Sequence, residues 1–114
     1  MNYDEMMAEL QIEYISSLPQ KIQDIETHLA TRDRGQLRDD YHKLKGTGKT
    51  YGIPEISEFG ELFEKLCLKK TISLDQFVPL SLTLLKQIYG ARKDNKVYAL
   101  SQASEFLNAC RLIS

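Results

Sequence analysis

Apolar residues recur at every third or fourth position along most of this chain, and no segment alternates cleanly with a period of two. The first spacing puts apolar side chains on one face of a helix, whereas a half-buried strand needs alternation. Only three prolines and six glycines interrupt the 114 residues. The pattern therefore predicts an all-α chain in which each helix buries one stripe in a shared core.

The first predicted helix covers about residues 3–31 and contains a proline. Pro19 fits two interpretations, and the sequence does not choose between them. Ser17 and Gln20 are spaced as a capping box, which would start a new helix there. Alternatively, the helix is continuous and kinked at Pro19.

Four more predicted helices cover about residues 34–50, 54–69, 74–90 and 96–112. Ser73 and Gln76 form a second possible capping box, and Pro79 predicts a kink or a late start in the fourth helix. Short links make consecutive helices antiparallel neighbours. We therefore expect an antiparallel four-helix bundle with an appended C-terminal helix, which either packs on the bundle, forms a dimer or awaits a partner.

The buried stripes follow from the same spacing. We predict that the core is built from Ile15, Leu18, Ile22, Ile25 and Leu29, then Leu37, Tyr41, Leu44, Gly48 and Tyr51, then Ile56, Phe59, Phe63, Leu66 and Cys67, then Phe77, Leu84, Leu85 and Ile88, and finally Val97, Leu100, Phe106, Leu107, Cys110 and Ile113.

Length and composition favour one domain over residues 1–114 and exclude several classes of function. The net charge of −1 gives no general attraction for nucleic acid. The chain starts without the basic and apolar segments of a secretory signal, and no apolar run is long enough to cross a membrane. We expect a cytoplasmic protein whose two cysteines, Cys67 and Cys110, are reduced.

A lone histidine lies beside the buried stripe of the second helix. Arg38, His42, Lys45 and Lys49 are spaced 4, 3 and 4, so they form a second stripe that faces solvent. Most exposed histidines and lysines have no special role. Here, however, cations flank the histidine along the helix and no carboxylate does, which favours a site that handles negative charge.

Three glycines follow this histidine within a few residues, although glycine in a helix costs about 1 kcal/mol relative to alanine. Gly48 lies on the buried stripe, where it would let another helix approach closely. Gly52 lies where a left-handed helix cap is expected. Gly46 alone has no structural reason, and it lies one turn from His42 on the same face.

These residues carry a resemblance to a known family. The segment His42-Lys43-Leu44-Lys45-Gly46-Thr47-Gly48, followed by Gly52, resembles the signature of histidine-containing phosphotransfer (HPt) domains. That signature reads His, any, hydrophobic, Lys, Gly, small, small, any two, hydrophobic, Gly, and Tyr51 supplies its last hydrophobic residue. The resemblance covers about residues 10–90.

The resemblance implies a phosphorelay carrier that exchanges a phosphoryl group between His42 and the aspartate of a response-regulator receiver domain or a hybrid histidine kinase. Lys45 and Gly46 would lie next to the phosphoryl group, and Arg38, Lys43 and Lys49 would contact the partner. Neutral imidazole suits a carrier, because its reference pKa near 6.5 leaves a nitrogen lone pair available. We expect no cofactor on this chain, Mg²⁺ on the receiver, no kinase activity of its own, and a monomer.

Other interpretations remain. The chain could be a helical interaction module that binds a signalling partner without phosphate, or the detached phospho-accepting domain of a histidine kinase. Asp39 and His42 lie one turn apart, but metal sites in helical bundles need more inward-facing carboxylates, so we expect no metal site. His28 is expected to be structural or idle near the end of the first helix. The Thr47 hydroxyl is expected to bond to its own helix backbone.

Overall fold

A computed structural model describes residues 2–113. Within that range all regular secondary structure is helical, without strands, and a short 3-10 helix at Leu100–Gln102 precedes the last α-helix. None of the helices in the described part is both long and apolar enough to cross a membrane. The five α-helices are α1 (Tyr3–Ala30), α2 (Arg34–Gly48), α3 (Pro54–Leu68), α4 (Leu74–Lys93) and α5 (Ser104–Ile113).

Contacts between side chains fix the direction of α1 against α2. The Tyr14 hydroxyl, in the first half of α1, lies 2.7 Å from the Thr47 hydroxyl near the end of α2. His28, near the end of α1, lies 2.6 Å from Asp40 in the first half of α2. Early residues of one helix thus meet late residues of the other, and the pair is antiparallel.

Two glycines allow α2 and α3 to pack backbone against backbone. A Cβ on Gly48 would lie 2.5 Å from the Ser57 amide nitrogen, and one on Gly60 would lie 2.4 Å from the Lys45 amide nitrogen. Residues late in α2 therefore meet residues early in α3, so this pair is antiparallel too. The tight turn between the helices needs Gly52, whose φ of +77° belongs to the left-handed region. The expectations for Gly48 and Gly52 are confirmed.

Ion pairs close the ring through α4. Arg92 donates two hydrogen bonds, of 2.7 and 2.8 Å, to the buried Glu55 carboxylate at the start of α3. Arg32, just after α1, lies 2.7 Å from Asp75 in the first turn of α4. Helix α4 therefore runs antiparallel to both α3 and α1, and α1–α4 form the antiparallel four-helix bundle expected from the short links.

The core is centred on aromatic side chains, and it includes residues that the predicted stripes left out: Tyr14, Ile53, Ile72, Leu74, Val78 and Ala109. Four fully buried aromatic rings form a connected cluster: Tyr41, Phe59, Phe63 and Phe77. The centroids of the contacting rings lie 4.9–6.4 Å apart. The buried Tyr41 hydroxyl is hydrogen-bonded to Ser81. The predicted stripes of α1–α4 are buried or packed partly buried against this core. Both cysteines are free thiols, as expected.

The two internal prolines do not divide their helices. Helix α1 is continuous through the exposed Pro19, and the Ser17 hydroxyl donates to the Tyr14 carbonyl at 2.6 Å, so it caps no new helix. Helix α4 begins at Leu74 behind the Ser73–Gln76 capping box, as expected, and runs through Pro79. A late start of α4 is therefore wrong.

The predicted fifth helix is too long at its N-terminal end. Asn95 has a φ of +59°, and the Lys96 amide donates to the Ala91 carbonyl at 2.8 Å, so α4 ends in a left-handed turn. Residues 96–99 are not helical, and Val97, predicted to be buried, is 71% exposed. Leu107 is exposed as well. Helix α5 starts at Ser104 and packs against α3 and α4 through Phe106, Ala109, Leu112 and Ile113.

Candidate functional site on the exposed face of the second helix

His42 projects from the middle of α2 into solvent, with 68% of its side chain exposed. It lies away from the buried stripe because Tyr41 and Leu44, its neighbours along the helix, point into the core. Arg38, Lys45 and Lys49 are exposed, as the spacing predicts, and Lys43 is exposed on the same helix. The structure therefore brings together the basic face expected around the histidine.

The main feature that sequence reasoning missed is a carboxylate from the next helix. His42 Nδ1 is hydrogen-bonded to Glu64 Oε2, and Lys45 Nζ lies 3.4 Å from Glu64 Oε1. Only 13% of the Glu64 side chain is exposed, so it lies under the more exposed histidine and lysine. The expectation that no carboxylate flanks His42 is therefore wrong for the site.

Glycine packing explains how Glu64 reaches the histidine. Glu64 follows Gly60 by one turn on the face of α3 that touches α2. Because Gly60 brings the two backbones together, a side chain one turn further on spans the short gap to His42. The site is thus built by two helices, and its geometry depends on a glycine far from the signature motif.

The Glu64 contact determines which ring nitrogen of His42 is available. A carboxylate accepts hydrogen bonds but cannot donate them, so Nδ1 carries the proton and donates it. In the neutral ring, Nε2 then keeps its lone pair, and no hydrogen bond within residues 2–113 engages it. The exposed side of the imidazole is therefore a potential nucleophile in a fixed tautomer.

Gly46 leaves open space one turn from His42 on the same helix. A Cβ built on Gly46 would meet nothing within 4 Å, in contrast to the crowded Gly48 and Gly60. No packing requirement within the described chain explains the glycine. Its small size is consistent with a group approaching His42 from outside.

The two glycines give a matched test. Gly46→Ala should hold or raise stability, by up to about 1 kcal/mol, because alanine favours the helix and meets no neighbour. Gly60→Ala should instead destabilise the fold by about 1–3 kcal/mol, because its Cβ would overlap the α2 backbone. Urea unfolding followed by circular dichroism measures both changes. Comparable losses of stability in the two variants would show that Gly46 is also needed for packing.

A bulkier side chain tests the functional part of the same idea. Gly46→Gln should leave the fold intact and sharply slow the phosphotransfer that the resemblance implies, since the side chain would fill the open space one turn from His42. Transfer at the normal rate by a well-folded Gly46→Gln protein would contradict a role for that space.

The second histidine also meets a carboxylate through Nδ1, but it is much less exposed than His42. His28 is hydrogen-bonded across the α1–α2 interface to Asp40, and only 25% of its side chain is exposed. Burial raises the pKa of the Asp40 carboxyl, and the hydrogen bond from His28 partly offsets that rise. His28 thus ties α2 to α1 through Asp40, a partner that its position at the helix end did not predict.

Thr47 behaves as the sequence indicated. Its hydroxyl donates to the Lys43 carbonyl at 2.8 Å and also meets the Tyr14 hydroxyl, so it faces α1 and not the histidine. Among residues 2–113, no three His, Cys, Asp or Glu side chains are grouped so that they could hold a metal ion.

The fold and the site together define a class: a helical bundle that displays a histidine, with one nitrogen hydrogen-bonded and the other free, on a basic helix face. A family model described as Hpt domain matches residues 9–94. The chain therefore belongs to the Hpt domain family, and the resemblance seen in the signature is confirmed. No curated protein and no solved structure matches the chain significantly. Family membership indicates a role in phosphotransfer within phosphorelay signalling, where Hpt domains interact with response regulators.

Proposed function

We propose that this protein carries a phosphoryl group on Nε2 of His42 and exchanges it with an aspartate of a response-regulator receiver domain. The observation that carries the proposal is the hydrogen bond between His42 Nδ1 and Glu64, which leaves Nε2 unprotonated on an exposed side chain, one turn from the open space at Gly46. The expected cytoplasmic location stays a prediction.

The transfer step follows from this geometry. The Nε2 lone pair attacks the phosphorus of the aspartyl phosphate, the phosphorus–oxygen bond breaks, and the aspartate leaves as a carboxylate. The ring gains positive charge while the Nε2–phosphorus bond forms. Glu64 stabilises that charge through Nδ1–H, as buried carboxylates do beside other reacting imidazoles. The reverse step returns the phosphoryl group and the neutral ring.

The basic face supplies attraction for an acidic partner. Lys45 lies one turn from His42 and is 44% exposed, so its ammonium can move from Glu64 to a phosphoryl oxygen. Arg38, Lys43 and Lys49 lie further out, where exposed charges mainly speed encounter. The receiver pocket, with its own Mg²⁺, would provide the remaining catalytic groups, and a hybrid histidine kinase would provide a second partner of the same kind.

Incubation with a phosphorylated receiver tests the proposal directly. We expect label to move to this protein, to be lost on acid treatment and to survive base, because a phosphorus–nitrogen bond is acid-labile. A protein that binds the receiver but never takes up label would instead be an interaction module without phosphate.

Substitutions at Lys45 and Lys49 distinguish a role in the transfer step from a role in attracting the partner. Lys45→Ala should slow transfer about tenfold at saturating receiver, because its ammonium offsets charge on the phosphoryl group itself. Lys49→Ala should lower only the association rate, and that rate should fall with added salt, which screens exposed charges over about 8 Å. Rapid-quench measurements at saturating receiver compare the two variants. Equal transfer rates would mean that Lys45 is one more steering charge.

A further inference from the structure

A groove between α3 and α5 lies apart from the histidine and partly outside the residues that the family model matches. Helix α5 packs along α3 and α4 without filling the surface between itself and α3. The gap forms a cavity of about 380 Å³. That volume is within the range of about 300–1,000 Å³ that is typical of ligand pockets.

The lining of the groove is apolar at its centre. Leu62 on α3 faces Phe106, Cys110 and Ile113 on α5, and all four side chains are only partly buried. Two helices that present apolar side chains to either side of a gap form a seat for a third helix. The groove therefore fits the apolar face of an amphipathic helix.

The charges along the groove have a direction. Among the residues that line the groove, the acidic Glu58 and Glu61 come before the basic Lys65 along α3, and Lys69 follows just beyond the end of that helix, outside the lining. Lys65 lies 3.5 Å from Glu61, but both side chains are exposed, and such a pair contributes little stability. Lys69 Nζ lies 3.4 Å from the Ile113 carbonyl, so the C-terminal turn of α5 lies beside the basic end. The groove is thus acidic at one end and basic at the other.

We propose that this groove binds an amphipathic helix of a partner protein, oriented antiparallel to α3. A helix favours acidic side chains in its first turn and basic side chains in its last, because these complement its dipole. Such a helix matches the groove in one direction only. Its basic last turn lies over Glu58 and Glu61, and its acidic first turn lies near Lys65 and Lys69.

The site is separate from His42 but adjacent to it. Glu61 precedes Glu64 by one turn of α3, so a helix in the groove would border any domain that docks over His42. Binding in the groove does not require phosphate. The proposal therefore stands or falls independently of the phosphoacceptor role of His42.

Two synthetic peptides of about sixteen residues test the direction of binding. Both carry leucines along one helical face; one has glutamates in its first turn and lysines in its last, and the other has these charges exchanged. We expect the first peptide to bind at least about tenfold more tightly than the second. In NMR spectra of the protein, the backbone amide shifts that change on adding the first peptide should be those of residues 58–65 and 106–113. Equal affinities, or shift changes elsewhere on the protein, would overturn the proposal.

Charge reversal in the protein provides the matched control. The double variant Glu58→Lys/Glu61→Lys should remove the preference for the first peptide. Glu9→Lys/Glu13→Lys makes the same change of net charge on the exposed side of α1, across the bundle, and should keep it. Loss of the preference in both variants would mean that it depends only on the net charge of the protein, and would refute binding in the groove. His42→Gln protein should bind the peptide unchanged.

Discussion

Replacing His42 with glutamine should abolish transfer of label from a phosphorylated receiver, while the helical circular dichroism stays unchanged. Glutamine cannot offer the nucleophilic ring nitrogen, and the exposed position makes little contribution to packing. The expected loss is complete, because the proposed step has no other acceptor. The measurement is uptake of label on a denaturing gel at equal protein concentrations.

His28→Gln is the matched control, since it changes the other histidine of the chain. Its side chain is held by Asp40 and largely covered, so we expect labelling at the normal rate with some loss of stability. Labelling that survives His42→Gln but disappears in His28→Gln would move the acceptor to the α1–α2 interface.

The bundle could be predicted from the sequence because its helices bury regular stripes. Within each helix the apolar residues are spaced to lie on a single face, as are Leu18 and Ile25 in α1, and Phe59 and Phe63 in α3. Such a face is buried whichever helix packs against it. Pro19 could not be resolved in the same way. Whether a helix passes through a proline depends on tertiary packing along its whole length, and α1 contacts α2 on both sides of Pro19, through Tyr14 and His28.

The end of α4 shows a second limit of predicting helices from the spacing of apolar residues. Val97 has the spacing of a buried residue relative to Leu100, so periodicity extended the fifth helix too far. Asn95 in a left-handed conformation ends α4 and redirects the chain before α5 begins. A single backbone angle of this kind leaves only a weak trace in composition.

One part of the candidate site could be predicted from the sequence of α2 alone, and the other part depends on how α3 packs against α2. Arg38, His42 and Lys45 share a face of α2, and spacing alone predicts this. Glu64 belongs to the site only through the register of α2 against α3. That register was nevertheless accessible: a short antiparallel link around Gly52 places residues 48 and 57 side by side. Counting six residues outward along each helix brings residue 63, the neighbour of Glu64, opposite His42.

Removing Glu64 should slow phosphotransfer without unfolding the protein. Glu64→Ala loses both the acceptor for Nδ1–H and the charge that stabilises the developing imidazolium, so we expect a decrease on the order of 10- to 100-fold at saturating receiver. Glu64→Gln keeps an acceptor oxygen but not the charge, and its rate should fall between those of the alanine variant and the native protein. Rapid-quench transfer rates provide the comparison.

Glu61→Gln is the control on the same helix, because Glu61 is exposed one turn away and pairs with Lys65 instead of His42. Nitrogen NMR of the His42 ring adds a measurement that a merely structural role would not change. In the native protein the proton should reside mainly on Nδ1, and Glu64→Ala should shift the population toward Nε2–H, which blocks the nucleophile. An unchanged tautomer together with an unchanged rate in Glu64→Ala would mean that the carboxylate holds α3 against α2 and takes no part in preparing His42 for transfer.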